Sequence, residues 1–320
     1  MTETAASNKT LIIAAGTTLT LGILCVGLFI GQRAVEDGIR SNLNAQVAGG
    51  KSMIAGYRNV RVSFLRRSVS ILGITLKPPG KETSVEVDKI QMSDLDFVTI
   101  GRMVMGERKP TMPGSVRLSV KGMHIGQDVM GEKASKQLQE LGLDELNVSF
   151  SMGFKSDREA HSMAINDMNV ELKDLGKIST SLEISHVELP TDEELANPQA
   201  LALTMSARLM ASSLHYAELR FVDQGLLKLV DADFKRQGKP SLSESAKFLD
   251  MFTTRQPAQT SDFVSSAVPK VKAFLQNGGS IALKAQPPTD LPFVQFANPM
   301  LLLDPEAIAK TIGLSVDAST

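Results

Sequence analysis

Six stretches of this 320-residue chain share one pattern: apolar, any, apolar, two residues, apolar, any, apolar. They are Val69-x-Ile71-x-x-Ile74-x-Leu76, Val85-x-Val87-x-x-Ile90-x-Met92, Leu118-x-Val120-x-x-Met123-x-Ile125, Met163-x-Ile165-x-x-Met168-x-Val170, Leu182-x-Ile184-x-x-Val187-x-Leu189 and Leu214-x-Tyr216-x-x-Leu219-x-Phe221. Strand side chains alternate faces with period two, so the extra residue would turn the second half of each strand inside out. A β-bulge absorbs it. The insert pairs Asp88-Lys89, Lys121-Gly122, Asn166-Asp167, Ser185-His186 and Ala217-Glu218 contain small or turn-prone residues suited to that, and Leu72-Gly73 suits it less well.

Leu146-Asn147-Val148-Ser149-Phe150-Ser151-Met152 alternates strictly, as do Val60, Val62 and Phe64, which calls for one buried and one wet face. Seven or eight strands with short connections favour antiparallel pairing. Helices follow. Thr191-x-x-Glu194 and Ser241-x-x-Glu244 are capping boxes, Asn197-Pro198 begins a helix, Asp223 reads as an N-cap, and Asp304-Pro305-Glu306 opens a helix that Gly313 closes. Phe263, Val264, Ala267, Val268, Val271, Phe274 and Leu275 form an apolar stripe interrupted by Pro269, and strands at 279–285 and 314–316 come after it. Strands followed mostly by helices indicate an α+β fold, an antiparallel bulged sheet with the C-terminal helices packed on it.

No charged residue occurs from Leu11 to Ile30. Twenty residues of helix span the roughly 30 Å hydrocarbon core of a bilayer, so the run reads as an N-terminal transmembrane helix. It is longer than the apolar region of a cleaved signal peptide, and no cleavage site follows it. Gly27 and Gly31 make a G-x-x-x-G match through which two such helices could approach closely. Lys9 against Arg33 and Arg40 leaves orientation undecided by charge, and the short leading tail favours a translocated C-terminal side. The chain divides into a tail (1–10), an anchor (11–30), a juxtamembrane linker or helix (31–56), a β-rich region (57–190) and an α+β region (191–320).

With 34 basic and 35 acidic residues the net charge is -1, so no global field recruits nucleic acid. One cysteine and four scattered histidines leave little for a metal site, and no nucleophile-elbow, zincin, Walker or dinucleotide-binding motif occurs. No cofactor, metal site or catalytic residue is assigned. Between Asp37 and Glu82, however, every charged side chain is basic. Arg58, Arg61, Arg66 and Arg67 from this stretch are candidates for contact with anionic headgroups.

The short strands VSILGITLKPPG and TSVEVDKIQMSDLDF after a single N-terminal anchor resemble AsmA-like bacterial envelope proteins, over about Tyr57 to Phe97 and again Leu146 to Leu189. The resemblance implies handling or organising of envelope lipids and carries over no catalytic residue. The helix-rich part from Asp223 onward departs from long groove-forming members. Two readings follow for a protein of the inner membrane with its bulk in the periplasm. In one, an apolar sheet surface holds acyl chains; in the other, the protein is a structural or assembly subunit docking a membrane protein complex.

Overall fold

A computed structural model describes residues 35–41, 43–44, 47, 54–77, 83–96, 114–130, 132–195, 197–251, 262–297 and 305–319. One sheet of twelve strands organises them. β1 (Ile54–Gly56) and β2 (Asn59–Ser63) lie along one edge of β3 (Ser68–Leu76). From there β4 (Val85–Ser93), β5 (Ser115–Gly126), β6 (Glu145–Asp157), β7 (Ser162–Leu172), β8 (Gly176–Ser185) and β9 (Ser213–Asp223) each pair antiparallel with the preceding strand. β10 (Ser280–Ala285) and β12 (Leu314–Ser319) continue the order, and the two-residue β11 (Leu291–Pro292) pairs with the start of β9.

The expected α+β fold is therefore corrected. The C-terminal region is not a helical layer over a finished sheet, because β9, β10 and β12 extend that same sheet. Helices occupy the connections: α1 (Glu132–Glu140) between β5 and β6, α2 (Asp192–Leu195) and α3 (Pro198–Ala211) between β8 and β9. α4 (Leu226–Arg236), α5 (Leu242–Lys247) and α6 (Asp262–Asn277) lie between β9 and β10, and α7 (Pro305–Thr311) precedes β12. The expected transmembrane helix is corrected too, since among the described residues no helix is long and apolar enough to cross a membrane. The run Leu11–Ile30, with Gly27 and Gly31, lies outside the described residues.

Phase breaks in the sequence correspond to backbone features. Gly73, Gly122, Asp167 and His186, each the second residue of an insert pair, have φ of 59°, 61°, 52° and 56°. In β3, β4 and β5 the breaks at Gly73, Asp88 and Gly122 fall in one row, so these strands keep their register across it. In β5 against β6, and in β7 against β8, the register shifts at the insert, between Val120 and Met123 and between Ile165 and Met168. The sixth pair behaves differently: Ala217 and Glu218 pair regularly, and the extra residue of β9 is His215.

Those breaks keep the apolar side chains on one face. Val69, Met92, Leu118 and Met152 face one another across four strands, and the same face continues through Val170, Ile178, Phe221 and Ile281 to Ala318. The other face is polar. There Asn169 donates to Ser151 Oγ at 3.2 Å and Ser179 donates to Asn169 Oδ1 at 2.7 Å. One dry and one wet face is the arrangement an antiparallel sheet permits.

Two buried clusters, Val62 with Val69 and Leu95, and Ile74 with Val85 and Val87, form the core under β2–β4. Val35 and Ile39, from the helical residues 35–41, pack on the first. Glu36 Oε1 accepts from Val62 N at 2.8 Å, and Arg40 donates to Asn59 Oδ1, so this segment covers β2, the edge that would otherwise pair with another chain. At the far edge α6 packs over β12, where Lys270 Nζ donates to the Val316 carbonyl and Phe274 meets Phe221 edge to face, ring centres 5.9 Å apart. Pro269 sits inside α6 without ending it.

Local punctuation follows the sequence with one displacement. Thr191 with Glu194 and Ser241 with Glu244 form reciprocal capping boxes. Residue Gly225, at φ 146°, holds the N-cap position of α4, while the Asp223 carboxylate reaches forward to accept from Leu227 N at 2.9 Å. Asp304 lies outside the described residues.

Candidate functional site

One face of the sheet is apolar across its strands. Helix α6 covers it at β12, and the segment 35–41 covers it near β2. Between them Ile178 on β8, Leu219 on β9 and Leu283 on β10 remain 44%, 50% and 41% exposed. Leu219 and Leu283 are direct cross-strand partners, and Ile178 stands beside Phe221, the next residue of β9 on the same face. Adjacent strands lie about 4.8 Å apart, so the three side chains form one patch across three strands. Single surface leucines mean little, whereas neighbouring ones on a shared face mark a surface able to hold an apolar partner.

The four arginines do not converge. Arg61 pairs with Ser70 on the wet face and, with Arg66, Lys89 and Glu36, lines a groove of about 530 Å³. Arg67 follows Arg66 on the β2–β3 turn. Arg58 lies away from them, its side chain crossing Gly73 so closely that a Cβ there would stand 2.9 Å from Arg58 Cβ. With Arg40 and Tyr57 it lines a separate groove of about 330 Å³. All four are exposed.

A polar constellation that the sequence does not announce lies where β8 ends and β9 begins. Ser185 Oγ donates to Asp290 Oδ2, His215 Nδ1 lies 2.8 Å from Asp290 Oδ1, and His186 Nδ1 lies 3.2 Å from Ser185 Oγ and 3.8 Å from Asp290 Oδ2. The hydrogen bond from Ser185, then that from His215, holds the Asp290 carboxyl below its ordinary pKa. The hydrogen bond to Asp290 raises the His215 imidazole above its own. Serine, histidine and aspartate invite comparison with a nucleophilic triad, but there the imidazole stands between hydroxyl and carboxylate to take the proton. Here the serine proton goes directly to the carboxylate, and the group clamps the 286–292 connection onto the sheet. Among the described residues no group of three or more His, Cys, Asp or Glu side chains is placed to hold a metal ion.

A further groove of about 510 Å³ lies among α4, α5 and the end of α6. Its carboxylates are already engaged, Asp231 by Lys235 at 2.8 Å and by Leu242 N at 2.8 Å, and Glu244 in its capping box.

A protein-family model described only as an uncharacterized protein matches residues 169–319, from the second half of β7 through β12. The match contains the Ile178–Leu219–Leu283 patch and the Asp290 cluster, and excludes the arginines. No curated protein matches the chain.

Proposed function

We propose that this chain is a non-catalytic envelope protein, held at the inner membrane with its bulk in the periplasm, that binds or organises lipid by lodging acyl chains on the apolar face of the sheet. What supports this reading is the exposed row of Ile178, Leu219 and Leu283 on the apolar face of the sheet. Water-exposed apolar area gains roughly 25 cal/mol per Å² when covered, so such a row favours an apolar occupant without any hydrogen-bonding partner. The resemblance of the strand repeats to AsmA-like proteins points the same way. Assembly within a membrane complex is the second reading, favoured by Phe248 and Met251, exposed just after α5.

The test is lipid extraction and mass spectrometry of the purified full chain beside a Leu219→Asp, Leu283→Asp variant. Substoichiometric lipid in the variant, with wild-type melting, supports the lipid reading. Equal lipid in both proteins removes it, and a partner complex lost only on Phe248→Ser would install the second reading.

A further inference from the structure

The β2–β3 turn, Phe64–Arg67, contradicts ordinary turn chemistry. Tight turns favour Gly, Asn, Asp, Ser and Pro, and this one reads Phe-Leu-Arg-Arg. It is nevertheless well braced: Arg67 N donates to Phe64 O at 3.1 Å, Leu95 N donates to Arg67 O at 3.2 Å, and Arg66 N donates to Ser63 Oγ at 3.3 Å. Arg67 adopts φ 44°, a left-handed conformation that costs a non-glycine residue energy. Phe64 turns inward onto the Val62, Val69 and Leu95 cluster, and Leu65 is left 91% exposed, more than any other large apolar side chain among the described residues.

Two further observations concern charge and position. The guanidinium groups of Arg66 and Arg67 engage no acid or carbonyl among the described residues, whereas Arg117, Arg158, Arg208 and Arg220 each do. Val35 packs on the same cluster as Phe64, which brings the start of the described chain to this corner of the sheet. Ile30, the last residue of the uncharged apolar run, is five residues earlier, and five residues reach at most about 18 Å. The uncharged apolar run therefore ends, in sequence, five residues before a segment that packs on the same cluster as Phe64, next to the described domain's most exposed leucine.

We propose that the β2–β3 turn is a contact for the surface of an anionic bilayer, with Leu65 entering the boundary between headgroups and acyl chains and Arg66 and Arg67 binding headgroup phosphates. A leucine flanked by long cationic side chains suits that boundary, because the stems stay with the apolar layer while the guanidinium groups reach the phosphates. The proposal rests on the reading that the protein works at a membrane, and it is independent of whether the sheet carries lipid.

Cys25 is the sole cysteine, so a single probe can be placed in the full chain. The protein carrying Cys25→Ser and Leu65→Cys is labelled with an environment-sensitive fluorophore and reconstituted with phosphatidylcholine vesicles, with or without phosphatidylglycerol and spin-labelled lipid. A second protein carries the label at Lys173→Cys, on the β7–β8 turn at the opposite end of the strands. Blue-shifted emission and lipid quenching at position 65 only, strongest with phosphatidylglycerol, are expected. Adding Arg66→Gln and Arg67→Gln should reduce turn docking about fivefold per charge removed. Co-flotation with an aqueous, unquenched probe at position 65 overturns this proposal and leaves the membrane reading standing. Failure to co-float overturns both, and a blue shift without lipid quenching would assign the turn to a protein partner instead.

Discussion

His215 Nδ1 lies 2.8 Å from Asp290 Oδ1, a contact between residues 75 positions apart that fastens the loop before β11 to the start of β9. Its pH dependence has two limits. The folded pKa of His215 is raised above 6.5, so its contribution is complete below that value and fades as pH rises through the folded pKa. For Asp290 the folded pKa is lowered below 3.8, so its contribution is complete above that value and fades as pH falls through the folded pKa. The pair is therefore strongest between about pH 4 and 6.5. His215→Gln should cost about 0.2–1 kcal/mol in that window, since the imidazole is largely exposed and screened, and less at pH 8. Thermal melts of both proteins across pH 4–9 check this; a constant difference would show that the ion pair contributes nothing.

Gly313 ends α7 at φ 59°, and a Cβ there would fall on the Gln286 carbonyl oxygen, which belongs to the backbone and cannot swing away. Gly142 has φ 73° with nothing within 4 Å of the same position. Gly142→Ala should cost about 1 kcal/mol from backbone strain alone, and Gly313→Ala more than twice that, about 2–4 kcal/mol. Urea titrations of the two variants separate strain from collision.

Removing Asn166 deletes the bulge of β7 and turns Met168, Val170 and Leu172 toward the wet face. Asn169, which bridges Ser151 and Ser179, would rotate into the apolar layer with Glu171. Each buried unpaired polar group costs about 1–3 kcal/mol against a total stability of about 5–15 kcal/mol, so soluble expression should fall sharply. Asp167→Gly, by contrast, should be neutral or stabilising, because it relieves the left-handed conformation at φ 52°. An unchanged melting temperature on deletion would mean that register is not set at this bulge.

For the proposed periplasmic location, alkaline phosphatase fused after Thr320 should be active and a cytoplasm-only fluorescent protein at the same position dark. The reverse pair of signals would place the sheet in the cytoplasm.

The apolar face was legible in the sequence because alternation and its breaks are written residue by residue, and Gly73, Gly122 and Asp167 mark the breaks with residues that tolerate positive φ. Strand continuity beyond residue 191 was not. The capping boxes and the Phe263–Leu275 stripe dominate that part of the chain, while the pairing of Ser280–Ala285 back onto β9 across the intervening helical residues leaves no local trace. Basic character around Arg58–Arg67 could be read from composition, but its division between two grooves and a turn follows from the positions of Gly73 and Ser70 on β3. Asp290 carried no signal at all, since its partners Ser185 and His215 are 105 and 75 residues away.

From β3 to β10 every strand pairs with its successor in the chain, over short turns for β3–β4, β6–β7 and β7–β8, whereas β10 must return to β9 across residues 224–279. In such a linear array stability resides in nearest-neighbour interfaces, as in stacked repeats. Damage at one margin then peels outward strands and spares the middle, and loss of β12 with α6 would bare the Leu283 side of the sheet while the hairpins from β3 to β7 stay closed.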